Sequence, residues 1–150
     1  MQKTRNKIAF IVAVVMVALS MLLSACGDGD AKVKLLKNDE KLVVIEAIDT
    51  GGSLEDALKE LKADGKLDYE GSTSEYGFYL VSINGYIPDA SKNEFWAIYS
   101  TLGEYEGVSY SSVEFGVYEY EGKVCASASY GISGMPLIEG EIYILTISTY

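Results

Sequence analysis

Beyond Cys26, one stretch constrains the fold more than any other: residues 53–65, the only convincing helix in a run that otherwise alternates strands and turns. Ser53 supplies a hydroxyl cap, and Asp56, three residues on, can return a carboxylate to the cap's own N–H. Leu54, Ala57, Leu58 and Leu61 recur at i, i+3, i+4 and i+7, which makes one apolar face. Glu55 and Lys59 are spaced to pair on the other face, and Gly65 supplies a left-handed stop. A strand-rich chain with a single amphipathic helix has one element to cover a sheet, so the expected class is α+β. Burying three leucines contributes roughly 1.5–3 kcal/mol each, against a total stability of about 5–15 kcal/mol. The helix is therefore expected to decide whether the domain folds.

What precedes this domain reads as an address. Lys3, Arg5 and Lys7 lead into an apolar run over residues 8–23 that only Ser20 interrupts, the order of a signal peptide. The run falls short of the roughly 20 apolar residues of a spanning helix. Leu23-Ser24-Ala25-Cys26 resembles a bacterial lipobox. It predicts removal of residues 1–25, lipidation of Cys26, a tether over 26–31 and one domain over 32–150, lipid-anchored to the bacterial cell membrane outside the cytoplasm. An uncleaved N-terminal anchor is the competing reading, with the same outward location.

The charge narrows the partners. With Lys3, Arg5 and Lys7 removed, 9 basic residues stand against 22 acidic ones, a net charge of −13. That excludes nucleic acid, whose phosphates demand Lys and Arg, and opposes docking on anionic headgroups. Lipid on Cys26 would be the membrane device instead. Lipidation leaves Cys125 without a disulfide partner. It sits in Lys123-Val124-Cys125-Ala126-Ser127-Ala128, which reads as a strand, so a small buried apolar role is expected rather than a reactive thiol.

The remaining segments read as strands and turns. Residues 32–37 and 41–48 suggest a hairpin turning at Asn38-Asp39; 67–71 is a short strand candidate and 76–84 a clear one. Asn84-Gly85 fits a tight turn, whereas Pro88 and the polar residues 89–93 favour a longer loop. The chain returns over 95–99. Residues 113–120 and 123–129 flank Glu121-Gly122 as an extra C-terminal hairpin, and 132–137 leads into a closing strand over 141–149. Pro136 keeps the segment before that strand at an edge or in a loop.

All 12 tyrosines and Trp96 lie after Cys26. Tyr79, Tyr99, Tyr118, Tyr120 and Tyr143 read as half-buried strand positions. Tyr86, beside Asn84-Gly85, and Tyr105, within residues 103–107, lie in loops with less core to fill, and tyrosine suits binding surfaces. Tyr86, Tyr105, Trp96 and Asn84 are the candidate ligand-binding residues. Trp96 is either a ligand platform or the central core aromatic, with Ile98 on the same strand face. With no histidine in the chain, a serine or cysteine nucleophile lacks its usual base, and no catalytic residue and no enzyme is expected. Asp28-Gly29-Asp30 begins like a calcium loop, but Lys32 falls where a third ligand is needed. Asp64, Asp68 and Glu70 fail that spacing, and no zinc set or phosphate loop is present, so no metal is expected.

Four pieces in order carry a resemblance: Ser53-Leu54-Glu55-Asp56-Ala57-Leu58, Tyr79-Leu80-Val81-Ser82-Ile83-Asn84-Gly85, Phe95-Trp96-Ala97-Ile98-Tyr99, and Met135-Pro136-Leu137-Ile138-Glu139-Gly140-Glu141-Ile142-Tyr143. They resemble the bacterial transcobalamin C-terminal-like domain, an extracellular module often borne on lipoproteins. The resemblance implies a β-grasp-like fold, one helix across a mixed sheet, and makes cobalamin, or a corrinoid more broadly, the first ligand to consider. In the vertebrate cobalamin carriers the similar domain closes over one face of a corrinoid held by a second, helical domain. This chain has neither such a helical stretch nor a histidine for cobalt. The expected function is thus a lipid-anchored, non-enzymatic binding domain, corrinoid-related. The competing reading is a cell-surface protein or polymer interaction module using Tyr86, Tyr105 and exposed strand edges. A structural surface protein without a small ligand is a third.

Overall fold

Residues 32–150 are described by the structure, a computed structural model. The leader, Cys26, the tether and the Asp28-Gly29-Asp30 run lie outside the described residues. The chain order is β1 (Val33–Asp39), β2 (Leu42–Ala47), α1 (Leu54–Ala63), β3 (Tyr69–Ser74), β4 (Gly77–Ile83), β5 (Glu94–Ser100), β6 (Glu104–Tyr105), β7 (Val108–Ser109), β8 (Ser111–Tyr120), β9 (Lys123–Ala128) and β10 (Ile142–Thr149). Six strands form one sheet in the order β1-β2-β10-β5-β9-β8, while β3–β4 and β6–β7 form separate two-stranded sheets. The class is α+β, with one α-helix among the described residues.

Every ladder is antiparallel, which corrects the expected mixed sheet. The reason is placement: the closing strand β10 enters beside β2 rather than β1, and so runs against both of its neighbours, β2 and β5. The first hairpin also turns later than expected, at Glu40-Lys41 instead of Asn38-Asp39. A bulge between Leu35 and Lys37 shifts its register, and the Asn38 side chain is committed elsewhere, donating to Lys66 O at 2.8 Å.

The helix forms as its residues dictate. Ser53 Oγ accepts from Asp56 N–H at 3.3 Å, and Asp56 Oδ2 accepts from Ser53 N–H at 2.9 Å, a reciprocal cap. At the other end Lys66 N–H donates to Leu61 O at 2.9 Å and Gly65 N–H to Lys62 O at 3.0 Å, the Schellman pattern, with Gly65 at φ +68°. Glu55 and Lys59 meet at 2.8 Å. Two further orphan donors of the first turn find carbonyls in the segment before β10: Leu54 N–H donates to Met135 O at 2.8 Å and Glu55 N–H to Ile132 O at 3.1 Å. This explains why residues 132–137 form no named strand. Their backbone serves the helix start and pairs with Gly51 and Gly52 through Leu137.

Two cores result. On the front face, α1 lays Leu54, Ala57, Leu58 and Leu61 over Val33, Val43, Ile45, Ala47, Tyr143 and Leu145. On the back face, Val44, Ile142 and Ile144 pack with Cys125 and with half-buried Tyr99, Tyr118 and Tyr120. The β8–β9 hairpin covers this back face because β8 advances from Ser112 to Val117 while its partner advances only from Ser127 to Ala126, and such a bulge bends a strand sharply. Its turn places Glu121 at φ +49° and Gly122 at φ +77°, the geometry of a tight two-residue hairpin. Buried on both faces, β2 and β10 read as continuous apolar runs rather than alternating ones.

Candidate functional site

Strand β5 organises the most concave part of the surface. It pairs with β10 along its whole length, Glu94 to Ser100, but with β9 only at Tyr99 and Ser100. The Thr101 N–H bond to Ile142 O, at 3.1 Å, sets the ladder so that odd-numbered residues bond toward β10. Trp96 therefore turns its N–H and C=O to the side where no strand pairs with it. Strands β5 and β9 splay here like a fork.

Two cavities open beside that free stretch. One, of about 190 Å³, lies between β4 and β5 and is lined by Phe78, Tyr79, Leu80, Phe95, Trp96, Ile98, Gly131 and Ile132. The second, of about 370 Å³, occupies the fork itself, between Phe95–Tyr99 and the Phe115, Ser127, Ala128, Tyr130 and Gly131 side. Phe95, Trp96, Ile98 and Gly131 belong to both, so one aromatic cleft wraps the edge of β5. Its walls are accessible: Phe95 is 40% exposed, Phe115 72% and Tyr79 68%. No side chain lining either cavity is charged.

Trp96 stands at the centre, half-buried against the front core and lining the cleft. Its Nε1 is buried and lacks a hydrogen-bond partner, the one such side-chain atom among the described residues. An unmet buried donor costs about 1–3 kcal/mol.

Tyr86 is brought to Trp96 and is half-buried. The two rings meet edge-on at 6.2 Å and 90°, Lys41 Nζ sits 4.3 Å above the Tyr86 ring, and the Tyr86 hydroxyl donates to Glu94 Oε2 at 2.5 Å. The same carboxylate oxygen accepts from Asp89 N–H at 3.0 Å. These two donors, the Tyr86 hydroxyl first, hold the Glu94 carboxyl below its ordinary range. Tyr86 thus buttresses Trp96 and closes the loop from β4 to β5. That loop is the longer connection that Pro88 favoured, with Asp89 capping a 3-10 turn over Ala90–Lys92.

Asn84 is likewise occupied. It takes a left-handed conformation, φ +48°, donates through Nδ2 to Asn38 Oδ1 at 2.6 Å and accepts from Asp68 N–H through Oδ1 at 3.1 Å. It ties the first hairpin to the start of β3. Tyr105 lies apart in the small β6–β7 hairpin, opposite Val108, and lines neither cavity.

Two tyrosines depart from their expected half-buried placement. Tyr79 projects outward beside the cleft. Tyr143 is fully buried, its hydroxyl donating to Pro136 O at 2.6 Å and accepting from Ile138 N–H at 3.0 Å; burial pushes its ionisation up to about 12. Cys125 is fully buried, and burial raises its thiol as well. Phe95, Phe115 and Tyr130 are cleft residues that sequence reasoning missed. The available signal was the apolar alternation Val113, Phe115, Val117 in a strand with little core left to cover.

Among the described residues no group of His, Cys, Asp and Glu side chains is arranged to hold a metal ion, and no helix is long and apolar enough to cross a membrane. No protein-family model matches the chain, and no curated protein matches it.

Proposed function

We propose that this chain is a non-enzymatic binding domain, carried outside the cytoplasm by lipid on Cys26, whose working surface is the aromatic cleft around Trp96. The observation that carries the reading is the convergence of Phe95, Trp96, Phe115 and Tyr130 on one accessible, uncharged concavity, since ligand sites are concave and lined mainly by apolar and aromatic groups. The anchored location rests on Leu23-Ser24-Ala25-Cys26 and the basic, then apolar, residues before it.

The first ligand class is cobalamin or another corrinoid, by the resemblance to the transcobalamin C-terminal-like domain. The order hairpin, helix, later strands supports a β-grasp-like relationship to that family, with the antiparallel β10 as a departure. Cavities of about 190 and 370 Å³ are far smaller than a corrinoid, so contact is with one face or edge of the ligand, as a lid makes it. Equilibrium dialysis of the full chain in mild detergent against cobalamin tests this: retention is expected, weakened by Phe115→Ser. No retention at millimolar cobalamin removes the corrinoid from the reading. Metabolic labelling with a fatty acid tests the anchor separately, and a Cys26→Ser chain that still takes up the label refutes it.

A second reading, an interaction module for a protein partner, is favoured by a specific observation: the unpaired stretch of β5 beside the cleft.

A further inference from the structure

We propose that the open edge of β5 takes up an extended, basic polypeptide strand from a partner protein, with Trp96 and Phe115 gripping its side chains. The proposal rests on the reading of the cleft as the working surface and names its partner class. Three observations carry it.

The first is backbone. Trp96 offers a strand N–H and C=O on a side where β9 has already diverged. Free strand edges are ordinarily guarded by lysine, proline or a bulge. The residues Glu94-Phe95-Trp96-Ala97-Ile98 contain no lysine or proline, and their ladder with β10 runs without a register shift. An added strand pairs its main chain with such an edge and places alternate side chains in pockets.

The second is the pockets. Phe95 and Trp96, adjacent on β5, both line the two adjoining cavities beside its free stretch. An incoming strand would set apolar side chains into them.

The third is charge. Residues 32–150 hold 9 lysines against 20 acidic side chains. The cleft itself is uncharged; exposed Glu114 adjoins Phe115 in the chain, while the Glu94 carboxylate before Phe95 is already engaged by Tyr86 and Asp89. A strand alternating apolar with basic residues is drawn to that surround, whereas a second copy of this equally acidic chain is repelled from it.

Trp96 is the sole tryptophan in the chain, so its emission reads the site directly. The probe is a capped peptide of alternating lysine and valine, about eight residues long, which at about 3.3 Å per residue overspans the free stretch. It is titrated into the full chain in mild detergent. A saturable shift in Trp96 emission is expected. Binding should weaken at least about tenfold when alternate peptide nitrogens are methylated, because the main-chain donors are then gone. Phe115→Ser should weaken it comparably with an unchanged melting temperature. Equal binding of the methylated peptide, or of an oligolysine of the same length, overturns the proposal in favour of charge alone. Dimers of the chain alone that Phe115→Ser dissolves overturn it in favour of self-pairing. Silence toward the peptide with retention of cobalamin overturns it while leaving the cleft reading intact; silence toward both overturns the two together.

Discussion

The two faces of the six-stranded sheet are closed by different means. The front is sealed by a capped helix whose Leu54, Leu58 and Leu61 are essentially without exposure. The back is sealed by the distal part of a bent hairpin, which contributes one fully buried side chain, Cys125, amid half-buried tyrosines. Large aliphatic side chains each contribute roughly 1.5–3 kcal/mol when buried, and a cysteine behaves as a small hydrophobe. The front therefore carries the stability. The back, with less to lose, has a strand free to bend away and open the fork beside β5.

Substitutions ranked by size test that contrast. Leu58→Asp on the front places a charge under the sheet and removes an aliphatic anchor; it should cost more than about 5 kcal/mol, enough to abolish folding. A cooperative circular-dichroism melt near the wild-type temperature would break the comparison outright. Gly71→Ala, in the hairpin beside the helix, should cost about 1–3 kcal/mol. A Cβ there would collide with the Tyr79 carbonyl oxygen and the Phe78 ring, and the carbonyl belongs to the opposing strand. Denaturant titration reads the loss directly.

Tyr143→Phe strands Ile138 N–H and Pro136 O and should cost about 1–2 kcal/mol. Its pH signature is separate. Because the folded phenol ionises at about 12, above its ordinary 10.0, its share of stability is complete below pH 10 and is lost as pH rises from there toward 12. The wild type should lose stability over that window more steeply than Tyr143→Phe; parallel curves would show that the buried phenol is not the group responsible. Smallest is Cys125→Ala on the back, at about 1 kcal/mol. A loss from Cys125→Ala as large as that from Leu58→Asp would reverse the ranking of the faces.

The same contrast governs what could be read in advance. The helix was legible to its termini, because Ser53, Asp56, the leucine spacing and Gly65 all act within a few residues of one another. Glu121-Gly122 announced its hairpin for the same reason. The bend that throws β8 and β9 over the back was not legible, since residues 113–116 read as ordinary strand and their extrusion depends on which face needs covering. The cleft was half legible. Trp96 stood out by type, but its neighbours Phe115 and Tyr130 arrive from far along the chain, and strand order is a long-range property that no local pattern encodes. Tyr86 was singled out for lying in a loop and Asn84 at the turn before it, and the structure uses both as fasteners.

Strand β10 joins the front and back cores, and its position has a consequence in time. The first hairpin and β5 meet only through residues 142–149, so neither half of the sheet closes until the last strand is available. A chain made from its N-terminus holds β2 and β5 with raw edges until residues 142–149 have been made, and long-range pairing of this kind is slow. Under the proposed export by residues 1–25, a sheet that closes only when β10 arrives would keep the chain threadable until it has crossed the membrane.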